Sequence, residues 1–149
     1  MPKPRKTWAE KMANPNGLPK TIEMTGKAVA KWGQGTMVVP APLEVDALMR
    51  KVKHGKVTTI GELREALAKQ HGTELCCPIT TGIFAWMSAH AAVEGEAAGK
   101  KSITPWWRTL KTGNELNPKY PGGLEAQAER LRSEGHRIEV KGKRWFVTG

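Results

Sequence analysis

Two stretches with helical spacing, separated by a break of about seven residues, constrain the fold of this chain more than any other feature. The first runs from Thr59 to Gln70, with Leu63, Ala66 and Leu67 as its apolar stripe. Thr59 is placed to cap it, and Glu62, three residues on, completes a capping box. Gly72 stops this helix and Pro78 opens the next, which extends from Ile79 to Gly95 with Ile83, Phe84, Met87 and Ala91 read as its apolar face. Such a pair can form a helix-turn-helix. Near the C-terminus, His136–Val140 and Arg144–Val147 flank Lys141-Gly142-Lys143, which is a hairpin pattern. Together these predict an α+β fold, mostly helical, that is winged-helix-like, with a helix-turn-helix and a C-terminal β-hairpin.

The remaining pattern fills in around that unit. A short helix is predicted over Trp8–Ala13, followed by a turn at Asn14-Pro15-Asn16-Gly17. A helix is read from Thr21 to Trp32, with Ile22, Val29 and Trp32 on one face and Gly33 and Gly35 ending it. Thr36–Val39 reads as a strand stopped by Pro40 and Pro42. Pro42–Lys51 reads as a helix with Leu43, Ala47 and Leu48 spaced for a core, and Leu124–Ser133 as a helix closed by Gly135.

Charge suggests how the chain is organised. Its 149 residues suit one domain with a real core, and the net charge is +10. Residues 1–40 hold seven Lys/Arg against two acids, and residues 41–149 hold seventeen against twelve. The division expected is a basic N-terminal extension over 1–40 and a main folded domain over 41–149. Excess Lys and Arg favour polyanion partners, because phosphates release counterions to them. The basic stretch Met1–Lys6 is either a DNA-contacting arm or a solubilising tail. No apolar run is long enough to span a membrane and no apolar signal segment follows the basic start, so no membrane partner and a cytoplasmic location are expected. Cys76 and Cys77 are adjacent, which suits free thiols in a reducing compartment. No cofactor or metal is expected, since no Cys/His pattern has ligand spacing.

Three segments, taken in order, resemble the O6-alkylguanine-DNA alkyltransferase family. Gly55-Lys56-Val57-Thr58-Thr59-Ile60-Gly61-Glu62-Leu63 is similar to the start of that family's helix-turn-helix. Ile103-Thr104-Pro105-Trp106-Trp107-Arg108 is similar to its active-site Pro-Cys-His-Arg. Pro121-Gly122-Gly123-Leu124-Glu125-Ala126-Gln127, then Leu131 and Glu134-Gly135-His136-Arg137, are similar to its Gly-Gly and Glu-Gly stretches. The likeness covers roughly residues 40–140. It implies a domain that docks on the minor groove and rotates an alkylated guanine into a pocket, where a cysteine thiolate takes the alkyl group.

Trp106 stands at the place of that cysteine and Trp107 at the place of its histidine. Indole is not a nucleophile for this transfer, so the resemblance implies a non-enzymatic binder with no catalytic residue, closest to the alkyltransferase-like proteins that carry Trp for Cys. The expected pocket residues are Trp106, Trp107, Arg108 and Glu134. The expected DNA contacts are Lys56, Thr58, Thr59, Ile60, Thr80, Thr81, Gly82 and Lys101, with the Ser88 hydroxyl a further possibility. Ile60 stands near the place where the family has a Tyr, and no Lys or Arg lies between Lys69 and Lys100. The expected partners are double-stranded, damaged DNA and a DNA-repair protein. Two alternatives stay open: an alkyl acceptor at Cys76 or Cys77, and a protein-interaction module that has lost DNA binding. The other place open to Trp106 and Trp107 is the core.

Overall fold

The computed structural model describes residues 7–15, 17–32 and 35–148. Met1–Lys6, Asn16 and Gly33 lie outside them, as does the side chain of Trp32, so the readings made on those positions are not described further. The element order is α1 (Trp8–Ala13), β1 (Lys20–Glu23), α2 (Lys27–Trp32), β2 (Thr36–Val39), α3 (Pro42–Arg50), β3 (Thr58–Thr59), α4 (Ile60–His71), β4 (Leu75–Cys76) and α5 (Pro78–Ala97). A 3-10 turn (Trp106–Arg108) follows, then β5 (Thr109–Leu110), α6 (Gly123–Ser133), β6 (Arg137–Lys141) and β7 (Arg144–Thr148). The architecture is α+β with a terminal hairpin, as expected.

α4 begins where the capping box places it. Thr59 Oγ1 accepts from the Glu62 amide at 3.2 Å, and Glu62 Oε2 accepts from the Thr59 amide at 3.2 Å. α4 and α5 pack on each other and are joined through β4, which pairs parallel with β2. β3 pairs parallel with β5, bringing the chain after the 3-10 turn beside the start of α4. In the hairpin, Lys141 faces Arg144, leaving Gly142-Lys143 as a two-residue turn; Gly142 takes φ +63°, which such turns require.

Four sequence readings of the fold are corrected. The helix expected over Thr21–Trp32 is instead a strand and a short helix. Thr21 and Ile22, both β-branched, pair with Val38 and Met37 of β2, and Gly26 at φ +55° breaks the run before α2. In α3 the buried stripe is Pro42, Val45 and Met49, while Leu43 is 54% exposed. In α4 it is Ala68, not Ala66, that joins Leu63 and Leu67 inside.

The largest departure is in α5. Its buried positions are Thr81, Ala85, Ser88, Ala89 and Ala92. Ile83 is 47% exposed and Ile79 is 53% exposed, and Phe84, Met87 and Ala91 are only half-buried. Small side chains let α5 approach α3 closely, and Ile79 and Ile83 are displaced to the other side.

The main core gathers Val38, Val45, Met49, Leu63, Leu67, Leu110, Leu116, Leu131 and Trp106 around that small-residue face of α5. A smaller cluster joins Met24, Met37 and Cys77. The described part of segment 1–40 packs on these elements: α1 lies against α5 and α3, and Val38 of β2 is fully buried. No helix among the described residues is long and apolar enough to cross a membrane.

Leu67→Ala removes a fully buried side chain and is expected to cost about 2–5 kcal/mol in urea unfolding. Ile83→Ala is expected to stay within about 0.5 kcal/mol of wild type. A large loss for Ile83 would contradict the outward orientation of that face.

Candidate functional site

The 3-10 turn sends its two indoles to different places. Trp106 is 2% exposed and meets Trp107 and Tyr120 edge-on, with ring centroids 5.8 Å and 5.7 Å away. It lines none of the described cavities, so the expected Trp106-lined pocket is corrected: this ring is core. Burial also pushes the Tyr120 hydroxyl pKa up. Trp107 borders a polar cavity of about 410 Å³ with Arg50, Lys101, Arg108 and Arg130 around it. The Arg130 guanidinium lies 4.6 Å from the Trp107 ring centroid and is ion-paired with Glu96.

Arg108 and Glu134 do meet, as a clamp. Arg108 Nε and Nη2 donate to the Glu134 carboxylate at 2.9 and 2.6 Å, and Nη1 donates to the Val52 carbonyl at 2.7 Å. Both side chains are largely buried. Burial alone would raise the Glu134 pKa. The Arg108 hydrogen bonds and charge, helped by Trp107 and the Gly55 amide, outweigh it and hold the carboxyl below its usual range. The guanidinium bonds from all three of its nitrogens and ties the turn to the end of α6 and to the chain before β3.

The concave site lies elsewhere, between the outward face of α5 and residues 111–119. It encloses about 480 Å³. Ile79, Ile83 and Trp86 form one wall, with Gly82 between them; Pro118 and Asn117 form the other, and Lys111 and Lys119 stand at its edge. The Trp86 indole N–H donates to the Lys119 carbonyl at 3.0 Å, bridging the two walls. The 111–119 segment is itself held on two sides. The Asn117 amide donates to Gln127 of α6 at 2.8 Å, and the Leu116 amide donates to the Trp145 carbonyl of β7 at 2.9 Å. Glu115 accepts from Arg144 of the hairpin at 2.9 Å, and that hydrogen bond lowers its carboxyl pKa despite some desolvation.

The expected DNA contacts divide. Gly82 lies in the cleft. Thr80 is half-buried nearby, and its hydroxyl has no partner among the described residues. Thr81 is corrected: it is fully buried and donates to the Cys77 carbonyl at 2.7 Å, closing the first turn of α5. Ser88 is likewise buried, facing Met12. Thr58 donates to Glu62 at 2.7 Å and Thr59 is the α4 cap, so both hydroxyls are engaged beside a carboxylate. Ile60 packs on the main core and Lys56 is exposed in the preceding turn. Lys101 borders the Trp107 cavity, at the Glu96 end of α5, which lies roughly 25 Å from Ile79 at 1.5 Å rise per residue.

Ile79, Ile83, Trp86, Pro118 and Lys119 are not among the residues the sequence points to at the site. Their signal was available: Ile79/Ile83 and Gly82/Trp86 are i,i+4 pairs opposite the face that carries Thr81, Ala85, Ser88 and Ala92. Both cysteines are buried, and burial raises the Cys76 thiol pKa more than its contact with Thr81 lowers it. A buried thiol with a raised pKa is a poor thiolate nucleophile.

Arg108→Ala leaves the Glu134 carboxylate buried and unpaired, with an expected loss of about 3–5 kcal/mol at neutral pH. In wild type the depressed Glu134 pKa contributes stability above the unfolded pKa, and this is lost as pH falls through the lower folded value. The stability gap between the two proteins therefore narrows in acid. Urea titrations at pH 7 and pH 4 check this, and a gap independent of pH would contradict the clamp.

No protein-family profile matches the chain, and no curated protein matches it. Solved structures do. The fold is similar to that of S. pombe Atl1 in complex with damaged DNA containing O6-carboxymethylguanine, with 19% identity, a TM-score of 0.50, and coverage of 72% of this chain and 87% of that one. It is also similar to S. pombe ATL in complex with DNA, at 20% identity, a TM-score of 0.52 and the same coverage. At this identity the likeness is one of fold: the chain has the architecture of an alkyltransferase-like protein.

Proposed function

We propose that this protein binds duplex DNA containing an alkylated or otherwise modified purine. The altered base is rotated out of the stack and held in the cleft between α5 and residues 111–119. The observation that carries this reading is the cleft itself, an apolar and lysine-edged concavity on the exposed face of α5, in a fold shared with proteins crystallised on DNA. Its volume falls within the range of roughly 300–1,000 Å³ typical of small-molecule sites. Ile79, Ile83 and Pro118 offer apolar surface to a base, and Trp86 offers an aromatic edge. Lys111 and Lys119 are placed to meet phosphate.

The N-terminal end of α5 adds a second attraction for anions. No acidic residue lies in its first turn, so its amide dipoles are uncompensated there. This is how a helix without a single Lys or Arg can still face DNA. The binding is non-covalent, since Trp106 is not a nucleophile and both cysteines are buried. Removal of the lesion then falls to a repair protein that recognises the complex.

Fluorescence anisotropy on paired duplexes, one with O6-methylguanine and one with guanine, tests the reading at two salt concentrations. The expected result is tighter lesion binding, a steep salt dependence, and a loss of lesion preference of about tenfold in Ile83→Asp, equivalent to about 1.4 kcal/mol. Equal affinity for both duplexes would leave only a general DNA binder. No binding at low salt would turn the exposed Ile79–Ile83 surface into a site for a protein partner.

A further inference from the structure

Three aromatic rings form a column beside the cleft. Trp8 of α1 stacks on His90 with ring centroids 4.6 Å apart and planes 23° apart. It also meets Trp86 edge-on at 5.0 Å and 86°, and Trp86 meets His90 at 4.8 Å and 71°. Trp86, His90 and Glu94 sit on successive turns of α5, at i, i+4 and i+8. Glu94 completes the dock: its carboxylate accepts from the Trp8 and Ala9 amides at 3.1 and 3.4 Å, which caps the start of α1. α1 is thus fixed along one line of α5, and its first ring is pressed against Trp86.

Trp86 is the residue that spans the cleft, through its indole bond to the Lys119 carbonyl. That side chain is half-buried, and its ring neighbours are Trp8 and His90. We infer that Trp8 is a positioning residue for the cleft: by packing edge-on against Trp86 it holds the indole in register with Lys119 and so fixes the separation of the two walls. α1 becomes part of the binding unit through this contact, although it contributes no atom to the cleft lining. The effect on lesion binding rests on the function proposed above, whereas the effect on Trp86 does not.

The test uses the full chain with Trp8→Ala, Trp8→Phe and Glu94→Ala. The first readout is hydrogen exchange of the Trp86 indole N–H by NMR. The expected result is exchange at least about tenfold faster in Trp8→Ala, largely restored in Trp8→Phe, and a smaller acceleration in Glu94→Ala. The second readout is the ratio of affinities for O6-methylguanine and guanine duplexes, which is expected to fall several-fold in Trp8→Ala. Unchanged indole exchange in Trp8→Ala overturns the inference. If that variant does not fold, unchanged exchange in Glu94→Ala overturns it. Faster exchange with an unaltered lesion ratio overturns the claim on binding. A wild type without lesion preference defeats the proposed function, and the exchange result still decides the role of Trp8.

Discussion

The Arg108 guanidinium reaches three parts of the chain at once, and the candidate site depends on that reach. It joins the 3-10 turn to Glu134 at the end of α6 and to the Val52 carbonyl ahead of β3. A pair this buried costs desolvation on both sides, which its hydrogen bonds offset only when the geometry is held. Holding it sets the direction of the turn, so that Trp106 faces the core and Trp107 faces Arg130. β5 then runs beside β3, and the segment that forms one cleft wall leaves from Leu110, a fully buried anchor. Gln127 holds the same segment further along, through the Asn117 amide.

α5 supplies the other wall by having two unlike faces. Its Thr, Ser and Ala positions pack inward where α3 presses close, and Thr81 closes its first turn internally. Ile79 and Ile83 are left exposed, and with the half-buried Trp86 they face the 111–119 segment. Exposed aliphatic surface on a helix costs solubility and needs a reason. A cleft for a base provides one, and the lysines at its edge match the polyanion that would carry that base.

The architecture was legible because it is written in local signals. Thr59 and Glu62 marked the start of α4, Pro78 the start of α5, and Gly142 the hairpin turn, each through backbone chemistry that acts over a few residues. The motif order around Trp106, Arg108 and Glu134 pointed to the fold now seen in the S. pombe structures. What stayed hidden was direction. A helix with apolar residues on most of its surface does not say which face is core, and the rule that large apolar side chains go inside chose the wrong face of α5. Thr21 and Ile22 were read as helical because their partner strand lies fifteen or more residues away, beyond any local window. Trp106 is placed in a pocket by its position in a motif, but its contact with Tyr120 is tertiary and appears in no motif.

The cleft as the seat of a modified base is the central claim, and methyl NMR of isoleucine-labelled protein with a lesion duplex tests it most directly. The expected result is that the largest shift changes fall on Ile79 and Ile83, with the Trp86 indole moving alongside them, and that a plain duplex perturbs these signals less. Changes centred on Ile103, beside the Trp107 cavity at the far end of α5, would contradict the claim and move the binding site there.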